Sequence, residues 1–189
     1  MITQIDFCIL NAIQAARTPF WDFIMPCITY LGSGGAVWII ISVIMLFFKK
    51  TRKTGITIAL ALIIGLFLST LGLKNLIMRE RPFNTEGSLL NINSLLIGAP
   101  SGRFSFPSGH SVSSFSAAAV LMMYSKKIGI PALILASLIA FSRLYLYVHF
   151  PSDVLAGALV GIIFAIISNI TVNSIRRKVY ERKLSNNTE

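Results

Sequence analysis

The sequence predicts an all-α membrane protein: a polytopic helical bundle of about six transmembrane helices, preceded by an interfacial helix at the N-terminus. Composition supports this fold class, since 54% of the 189 residues are hydrophobic and 13% are charged, whereas soluble domains carry about 25% charged residues. The mean hydropathy is +0.74. Apolar segments of near-membrane length recur along the chain, and basic clusters separate them. The length suits a single domain over residues 1–189.

The N-terminal part of the chain contains segments shorter than a full membrane span. Residues 3–16 are mildly apolar and too short to cross, which predicts an amphipathic interfacial helix. Residues 18–30 form a second apolar helix that opens with Thr-Pro, and the glycine-rich residues 31–35 indicate a turn. Residues 36–48 are strongly apolar. Because a span needs about 20 residues, we expect the last two segments to form a thin hairpin or a re-entrant pair.

The remaining spans are predicted from longer apolar segments. Pro82 ends the first of them, and a loop over residues 83–106 separates it from the others. Loops of this length are usually functional or disordered, and its two leucine-rich clusters suggest a segment lying on the membrane surface. The predicted spans cover residues 54–79, 107–124, 132–148 and 152–171.

The placement of the charges predicts a topology. The net charge is +10, but most of the basic residues flank apolar segments rather than forming a nucleic-acid-binding surface. Basic clusters at residues 49–53, 126–127 and 176–183 are topology signals under the positive-inside rule. We therefore expect a multi-pass plasma-membrane protein with both termini in the cytoplasm, and with its other ionisable residues at the extracytoplasmic face.

Residues 142–153 carry an unusual set of ionisable side chains between two apolar segments. Such residues are costly beside a membrane span and usually functional. Pro151 suits the first position of a new helix, which places Asp153 in the first turn, where the helix dipole favours a carboxylate. Asp153 beside His149 can accept the ring N–H of the histidine. A nucleophilic or basic histidine needs this orientation.

Two other segments bring polar groups to the same predicted membrane face. Lys74 and Arg81 are seven residues apart, so a helix would place them on nearly the same face, where they repel unless an anion lies between them. Ser108 is a candidate helix N-cap, and Gly109 permits close approach of a ligand to the backbone. A helix that starts there, with His110 in its first turn, points free N–H groups at an anion.

These segments, together with Arg143, predict a site for a multiply charged oxyanion, and phosphate fits because arginine binds it through paired N–H donors. A two-histidine, one-carboxylate metal site is an alternative, built from His110, His149 and Asp153, although the nearby cations oppose a metal dication. A serine hydrolase triad that uses Ser108 is another alternative. The G-x-S-x-G nucleophile motif is absent from the sequence, however.

Three motifs span residues 74–153: Lys74-x6-Arg81-Pro82, Pro107-Ser108-Gly109-His110 and Ser142-Arg143-x5-His149-x3-Asp153. In this order and spacing they resemble the three-part signature of the type 2 phosphatidic acid phosphatase superfamily. That superfamily contains membrane lipid phosphate phosphatases and, more distantly, vanadium haloperoxidases. The membrane spans and the small size disfavour a haloperoxidase. The first 70 residues and the tail carry no comparable motif.

The resemblance implies a metal-independent phosphatase or diphosphatase that needs no cofactor. His149 would be the nucleophile that forms a phosphohistidine, and Asp153 would orient it. His110 would be the general acid that protonates the leaving oxygen and later helps to activate water. The expected phosphate-binding groups are Lys74, Arg81, Ser108, Gly109 and Arg143.

The membrane setting predicts an amphiphilic substrate, with the lipid bilayer as the other partner and no nucleic acid. Small bacterial members of the family resemble undecaprenyl pyrophosphate phosphatases, so this lipid is the first choice. Phosphatidylglycerophosphate and phosphatidic acid are the alternatives. From a different class, the chain is a non-catalytic lipid-phosphate-binding protein or a membrane scaffold. The presence of His110, His149 and Asp153 argues against that alternative, because binding alone needs only the cations.

Overall fold

The computed structural model describes residues 2–100 and 102–186, which form a helical bundle without a β-strand in that part of the chain. The all-α membrane fold is therefore confirmed, while a single domain over residues 1–189 stays a prediction. The α-helices are α1 (Ile2–Ala15), α2 (Pro19–Leu31), α3 (Ala36–Phe47), α4 (Arg52–Gly65), α5 (Lys74–Ile77), α6 (Gly109–Tyr124), α7 (Lys126–Tyr145) and α8 (Pro151–Ser185). A π-helical segment, Leu66–Leu73, joins α4 to α5, and short 3-10 turns lie at Ser33–Gly35, Pro82–Asn84 and Ile92–Ser94.

Counted by helix length and composition, the candidate membrane spans are fewer than the predicted six. Among the described residues, three helical segments are long and apolar enough to cross a bilayer: Arg52–Asn84, Lys126–Tyr145 and Pro151–Ser185. The pair Pro19–Leu31 and Ser33–Phe47 makes a fourth if it is counted as one bent span. Helix α6 has 16 residues, which is short of the ~20 that a perpendicular span requires.

The connection between α2 and α3 is a bend rather than a reversal. The two helices are inclined by 42° at the break, and Gly34 and Gly35 have φ values of 60° and 74° there. Glycine reaches this left-handed region without steric cost, so the chain bends and continues. The predicted hairpin is therefore wrong, because a glycine-rich segment does not by itself specify the angle of a turn. A bent pair of this kind is a broken span or a re-entrant loop, so the re-entrant alternative stays a prediction.

The two ends of the described chain lie at opposite ends of the bundle. The backbone N–H of Ser152, in the first turn of α8, donates to Asp6 of α1 over 3.0 Å. The 35 residues of α8 extend on the order of 50 Å from that point at ~1.5 Å per residue. The expected hairpin would have added a crossing that the bent pair does not make, and the cytoplasmic placement of both termini stays a prediction.

Helix α6 is central to the bundle and packs closely against α7 and α8. Small residues on α8 permit this approach: an added Cβ at Gly161 would lie 2.6 Å from the carbonyl oxygen of Val112, and one at Gly157 would lie 2.8 Å from that of Ser108. Small residues at such crossings are typical of membrane helices. The close packing sets the N-terminal ends of α6 and α8 side by side.

The segment that follows α4 departs from a regular α-helix. Helix α5 ends at Ile77, and Met78 has a φ of 50°. The predicted span over residues 54–79 is confirmed to within two residues at each end, because α4, the π-helical segment and α5 follow one another without a break. The helix ends before Arg81, however, so the prediction that Lys74 and Arg81 share a helix face is wrong. They converge because the chain folds back after Met78.

The loop over residues 83–106 covers the turn between α7 and α8. The loop and the turn share a hydrophobic cluster, whose buried residues include Phe83, Leu146 and Tyr147. The loop residues that pack against this cluster are Leu90, Leu95 and Ile97. The described part of the loop therefore packs on the bundle. Leu89 and Leu96 point outward, so contact with the membrane surface stays a prediction for them.

Candidate active site

A cavity of about 910 Å³ opens between the bent α2–α3 pair, α4 and α6. Its polar end is lined by six of the predicted site residues: Lys74, Arg81, Gly109, His110, Arg143 and His149. Its other end is lined by apolar side chains of α3 and α4, which include Ile39, Val43, Leu46, Leu62 and Ile63. The cavity thus joins a cationic end to an apolar end.

His149 lies in the turn between α7 and α8 and is almost completely buried. Its Nδ1 lies 3.7 Å from Oδ2 of Asp153, which is close but longer than a hydrogen bond. The same Oδ2 accepts the backbone N–H of Phe150 over 2.9 Å. The predicted helix start at Pro151, with Asp153 in its first turn, is confirmed. Asp153 therefore caps α8 while it faces the imidazole.

The environment of His149 favours a neutral ring. Burial lowers its pKa well below 6.5, and the positive charges of Arg81, Arg143 and Lys74 lower it further. Its Nε2 lies 3.4 Å from Nη1 of Arg81. At neutral pH the histidine thus has an unprotonated nitrogen available as a nucleophile or base.

Arg81 and Arg143 are held in place by oxygen atoms of residues that were not predicted to bind phosphate. Arg81 donates from Nε to the carbonyl oxygen of Gly102 over 3.0 Å and from Nη1 to that of Val148 over 2.9 Å. Arg143 donates from Nη1 to the hydroxyl of Thr29 on α2 over 2.5 Å. Fixed in this way, each guanidinium is oriented before a ligand arrives, so less rotational freedom is lost on binding.

The start of α6 has the predicted cap. The hydroxyl of Ser108 accepts the N–H of Ser111 over 3.4 Å, and the N–H of Ser108 donates to the carbonyl oxygen of Asp153 over 3.1 Å. Ser108 is fully buried and does not line the cavity. Its hydroxyl is therefore a helix cap in this structure, whereas Gly109 and His110 present the first turn of α6 to the cavity.

Several buried polar atoms around the cavity have no hydrogen-bond partner among the described residues: Nε2 of His110, Nδ1 of His149 and Nε of Arg143. Buried polar groups normally have partners. Nδ1 of His149 is directed towards Asp153. The other two atoms belong to residues that line the cationic cavity, and they indicate a polar, anionic ligand there.

The metal-site alternative does not fit this arrangement. Within residues 2–100 and 102–186, no three His, Cys, Asp or Glu side chains come together as metal ligands. Both oxygens of Asp153 already accept hydrogen bonds, one from Arg79 and one from the backbone of Phe150. The predicted triad of His110, His149 and Asp153 is thus not arranged to hold a metal ion.

Sequence reasoning missed four residues that contact the site: Asp6, Thr29, Gly32 and Arg79. An added Cβ at Gly32 would lie 2.8 Å from Cδ2 of His110, so the glycine admits the ring. Arg79 lies inside the first motif, and Asp6 is an acidic residue in an apolar helix. Both signals were visible in the sequence, but nothing in it paired these residues with Asp153.

Comparisons with known proteins identify the family of this chain. The PAP2 superfamily matches residues 54–177. An undecaprenyl-diphosphatase from Sulfolobus acidocaldarius is 38% identical over 126 residues, which are 66% of this chain and 58% of that protein. The aligned part is thus less than two thirds of that relative's length.

Two solved structures share the fold. The crystal structure of Aquifex aeolicus LpxE has a TM-score of 0.71 and 33% identity, and the match covers 85% of this chain and 92% of that one. A transmembrane PAP2 type phosphatidylglycerolphosphate phosphatase from Bacillus subtilis has a TM-score of 0.71 and 28% identity, with 94% and 87% covered. From the family match and the shared fold, this chain belongs to the PAP2 superfamily, whose phosphatases are metal-independent.

Proposed function

We propose that the protein is a membrane lipid phosphatase that hydrolyses a phosphate or pyrophosphate ester through a phosphohistidine on His149. One observation carries this proposal: a buried, neutral histidine faces Lys74, Arg81 and Arg143 in a cavity that continues into an apolar groove. The cations would bind the phosphate, the apolar groove would hold the lipid tail, and the histidine would accept the phosphoryl group.

In the first step, Nε2 of His149 attacks phosphorus. A P–N bond forms as the P–O bond to the leaving group breaks. His110, which holds a proton as the imidazolium once the phosphate anion is bound, donates that proton to the leaving oxygen and becomes neutral. The charge on the transferred group is stabilised by the fixed donors of Arg81 and Arg143. Asp153 stabilises the positive charge that develops on the imidazole. The 3.7 Å separation between Asp153 and Nδ1 shortens as that charge appears, as catalytic contacts often do on reaction.

In the second step, water attacks the phosphohistidine. His110, now neutral, accepts the proton of this water, and the P–N bond breaks to release inorganic phosphate and restore His149. The N–H groups of Gly109 and His110 hold the phosphate oxygens at the start of α6. The hydroxyl of Ser108 supports that helix start rather than contacting phosphate.

Undecaprenyl pyrophosphate is the first choice of substrate, and the undecaprenyl-diphosphatase of Sulfolobus supports it. Phosphatidylglycerophosphate is the second candidate, because the Bacillus phosphatase shares the fold over most of both chains. Phosphatidic acid is the third. The test is phosphate release by purified protein from these lipids in matched detergent micelles, with kcat/KM compared across the panel.

The same assay tests the chemistry. We expect activity to survive EDTA and to be inhibited by vanadate, whose trigonal-bipyramidal adduct resembles the transferring phosphoryl group. Loss on chelation that one divalent ion restores would contradict the metal-independent mechanism. Tight lipid-phosphate binding without turnover would favour the non-catalytic alternative.

We propose that the site faces the extracytoplasmic side. The basic clusters at residues 49–53, 126–127 and 176–183 all lie at the end of the bundle opposite to the polar end of the cavity, and such clusters are retained in the cytoplasm. In a variant with serine in place of the exposed Cys8 and Cys27, single cysteines report sidedness to an impermeant thiol reagent on intact cells.

We expect labelling at the exposed positions Gln4 and Glu86, near the site, and none at Lys127 or Glu181. The reverse pattern would overturn the orientation. Labelling at Glu86 but not at Gln4 would instead restore the cytoplasmic N-terminus that the sequence predicted.

A further inference from the structure

We propose that Asp6 and Arg79 are positioning residues that orient Asp153 for the reaction at His149. Helix α1 then contributes a residue to the active site. The proposal rests on the proposed phosphatase function and extends it to a segment that carries none of the signature motifs.

Arg79 joins two carboxylates that are far apart in sequence. Its Nη1 donates to Oδ1 of Asp153 over 2.8 Å, and its Nη2 donates to Oδ2 of Asp6 over 2.7 Å. Asp6 is 3% exposed and Asp153 is completely buried. Charge-assisted bonds of this kind are among the strongest in proteins when they are shielded from water.

Further contacts fix this bridge in place. Ser152 donates its backbone N–H to Oδ1 of Asp6 over 3.0 Å, and its hydroxyl accepts from Nη1 of Arg79 over 2.6 Å. The guanidinium also lies over the ring of Phe150, 3.9 Å from its centroid. Each neighbour belongs to the turn that carries His149 or to the first residues of α8, so the bridge restrains the catalytic turn directly.

The rest of the inner face of α1 contacts the same turn. Phe7 packs edge-on against Phe150 with 5.2 Å between ring centroids, and the hydroxyl of Tyr147 donates to Asn11 over 3.1 Å. The inward positions follow a helical spacing: Asp6, Phe7, Leu10, Asn11 and Gln14. Helix α1 thus docks on the catalytic turn along one face.

The charges explain why the bridge needs two carboxylates. Arg79 paired with Asp153 alone would cancel the negative charge that stabilises the developing imidazolium of His149. Asp6 adds a second negative charge, so the three groups together keep a net charge of −1. Because Arg79 occupies Oδ1 of Asp153, Oδ2 remains directed towards His149.

The test compares Asp6→Asn, Arg79→Gln and Arg79→Lys with the wild type in detergent micelles. The probes are phosphatidic acid and para-nitrophenyl phosphate. Glu80→Gln is the matched control, because Glu80 is the next residue and forms an exposed ion pair with Arg103 at 3.3 Å. We expect Asp6→Asn and Arg79→Gln to lower kcat by roughly 10–100-fold, as loss of an orienting partner does elsewhere.

The pattern distinguishes positioning from general destabilisation. KM should stay within about threefold of the wild type, and the loss should be equal on both probes, because the nucleophile is the same for any leaving group. Arg79→Lys should recover part of kcat, and Glu80→Gln should match the wild type. The double variant Asp6→Asn/Arg79→Gln should lose about as much as the worse single variant, since both act through one group.

The proposal is overturned if Asp6→Asn keeps kcat within about twofold, if the effects of the two single variants multiply, or if the loss follows the folded fraction measured by thermal unfolding. A wild-type protein without turnover on any lipid phosphate would instead contradict the proposed function itself. The two failures are therefore distinguishable.

Discussion

Both ends of the bundle are rich in cations, but the cations are buried at one end and exposed at the other. At the cavity end, Arg81 and Arg143 are 3% and 4% exposed, and backbone or side-chain oxygens orient them. At the opposite end, the basic residues of segments 49–53, 126–127 and 176–183 are mostly exposed. A buried cation is costly unless an anion compensates it, whereas an exposed one is solvated. Burial, rather than the number of charges, therefore marks the functional end.

The largest effect that we predict comes from His149, the proposed nucleophile at the cavity end. His149→Ala should abolish turnover of both phosphatidic acid and para-nitrophenyl phosphate, because the covalent intermediate cannot form. Initial rates with purified protein at several pH values measure this. Substantial residual activity on either probe would remove His149 from the nucleophile role.

The second effect separates the two histidines of the cavity. His110→Asn should remove a general-acid contribution of roughly 10²–10⁴-fold on phosphatidic acid, because an alkoxide leaving group needs the proton. The loss should be much smaller on para-nitrophenyl phosphate, since nitrophenolate leaves without one. An equal loss on both probes would contradict the general-acid assignment.

The third effect tests the comparison between the two ends directly. Arg143→Gln should lower kcat/KM by roughly 10²–10³-fold, the usual cost of removing one fixed donor to a developing anion. Arg177→Gln is the matched control at the exposed end, where Arg177 pairs only with Glu181 at 2.8 Å in the described chain. Similar losses in the two variants would mean that burial does not distinguish the ends.

The smallest effect is a shift in titration. The chain has two histidines, so His110→Asn leaves His149 with the only imidazole, and its labelled Cε1 resonance is unambiguous. Because burial and the neighbouring cations disfavour the imidazolium, its pKa should lie well below 6.5. Only the neutral ring is a nucleophile, so the free enzyme should stay competent below pH 6.5. A titration at or above 6.5 would contradict this environment.

Local signals predicted the parts of the site that local chemistry determines. Ser108 as the cap of α6, Pro151 at the start of α8 and Asp153 in its first turn all follow from preferences that act within a few residues, and the structure confirms them. The spacing of the three motifs also identified six residues that line one cavity.

The errors arose where geometry depends on distant contacts. The glycines at residues 34–35 indicated a turn, but only packing determines that α2 and α3 bend by 42°. The spacing of Lys74 and Arg81 suggested a shared helix face, although the left-handed Met78 ends the helix between them. Asp6 and Arg79 are 73 residues apart, and no periodicity in the chain links them.

The cations around the cavity also affect how strongly each product of the proposed reaction is retained. In the proposed mechanism the lipid leaves after the first step with less charge, or none, at its head, so little retains it beside Lys74, Arg81 and Arg143. Inorganic phosphate forms last and carries more charge than the released lipid. Mutual repulsion among the buried cations favours its retention. Phosphate should therefore be a competitive product inhibitor, and the turnover of the enzyme should fall wherever phosphate accumulates on the side that the cavity faces.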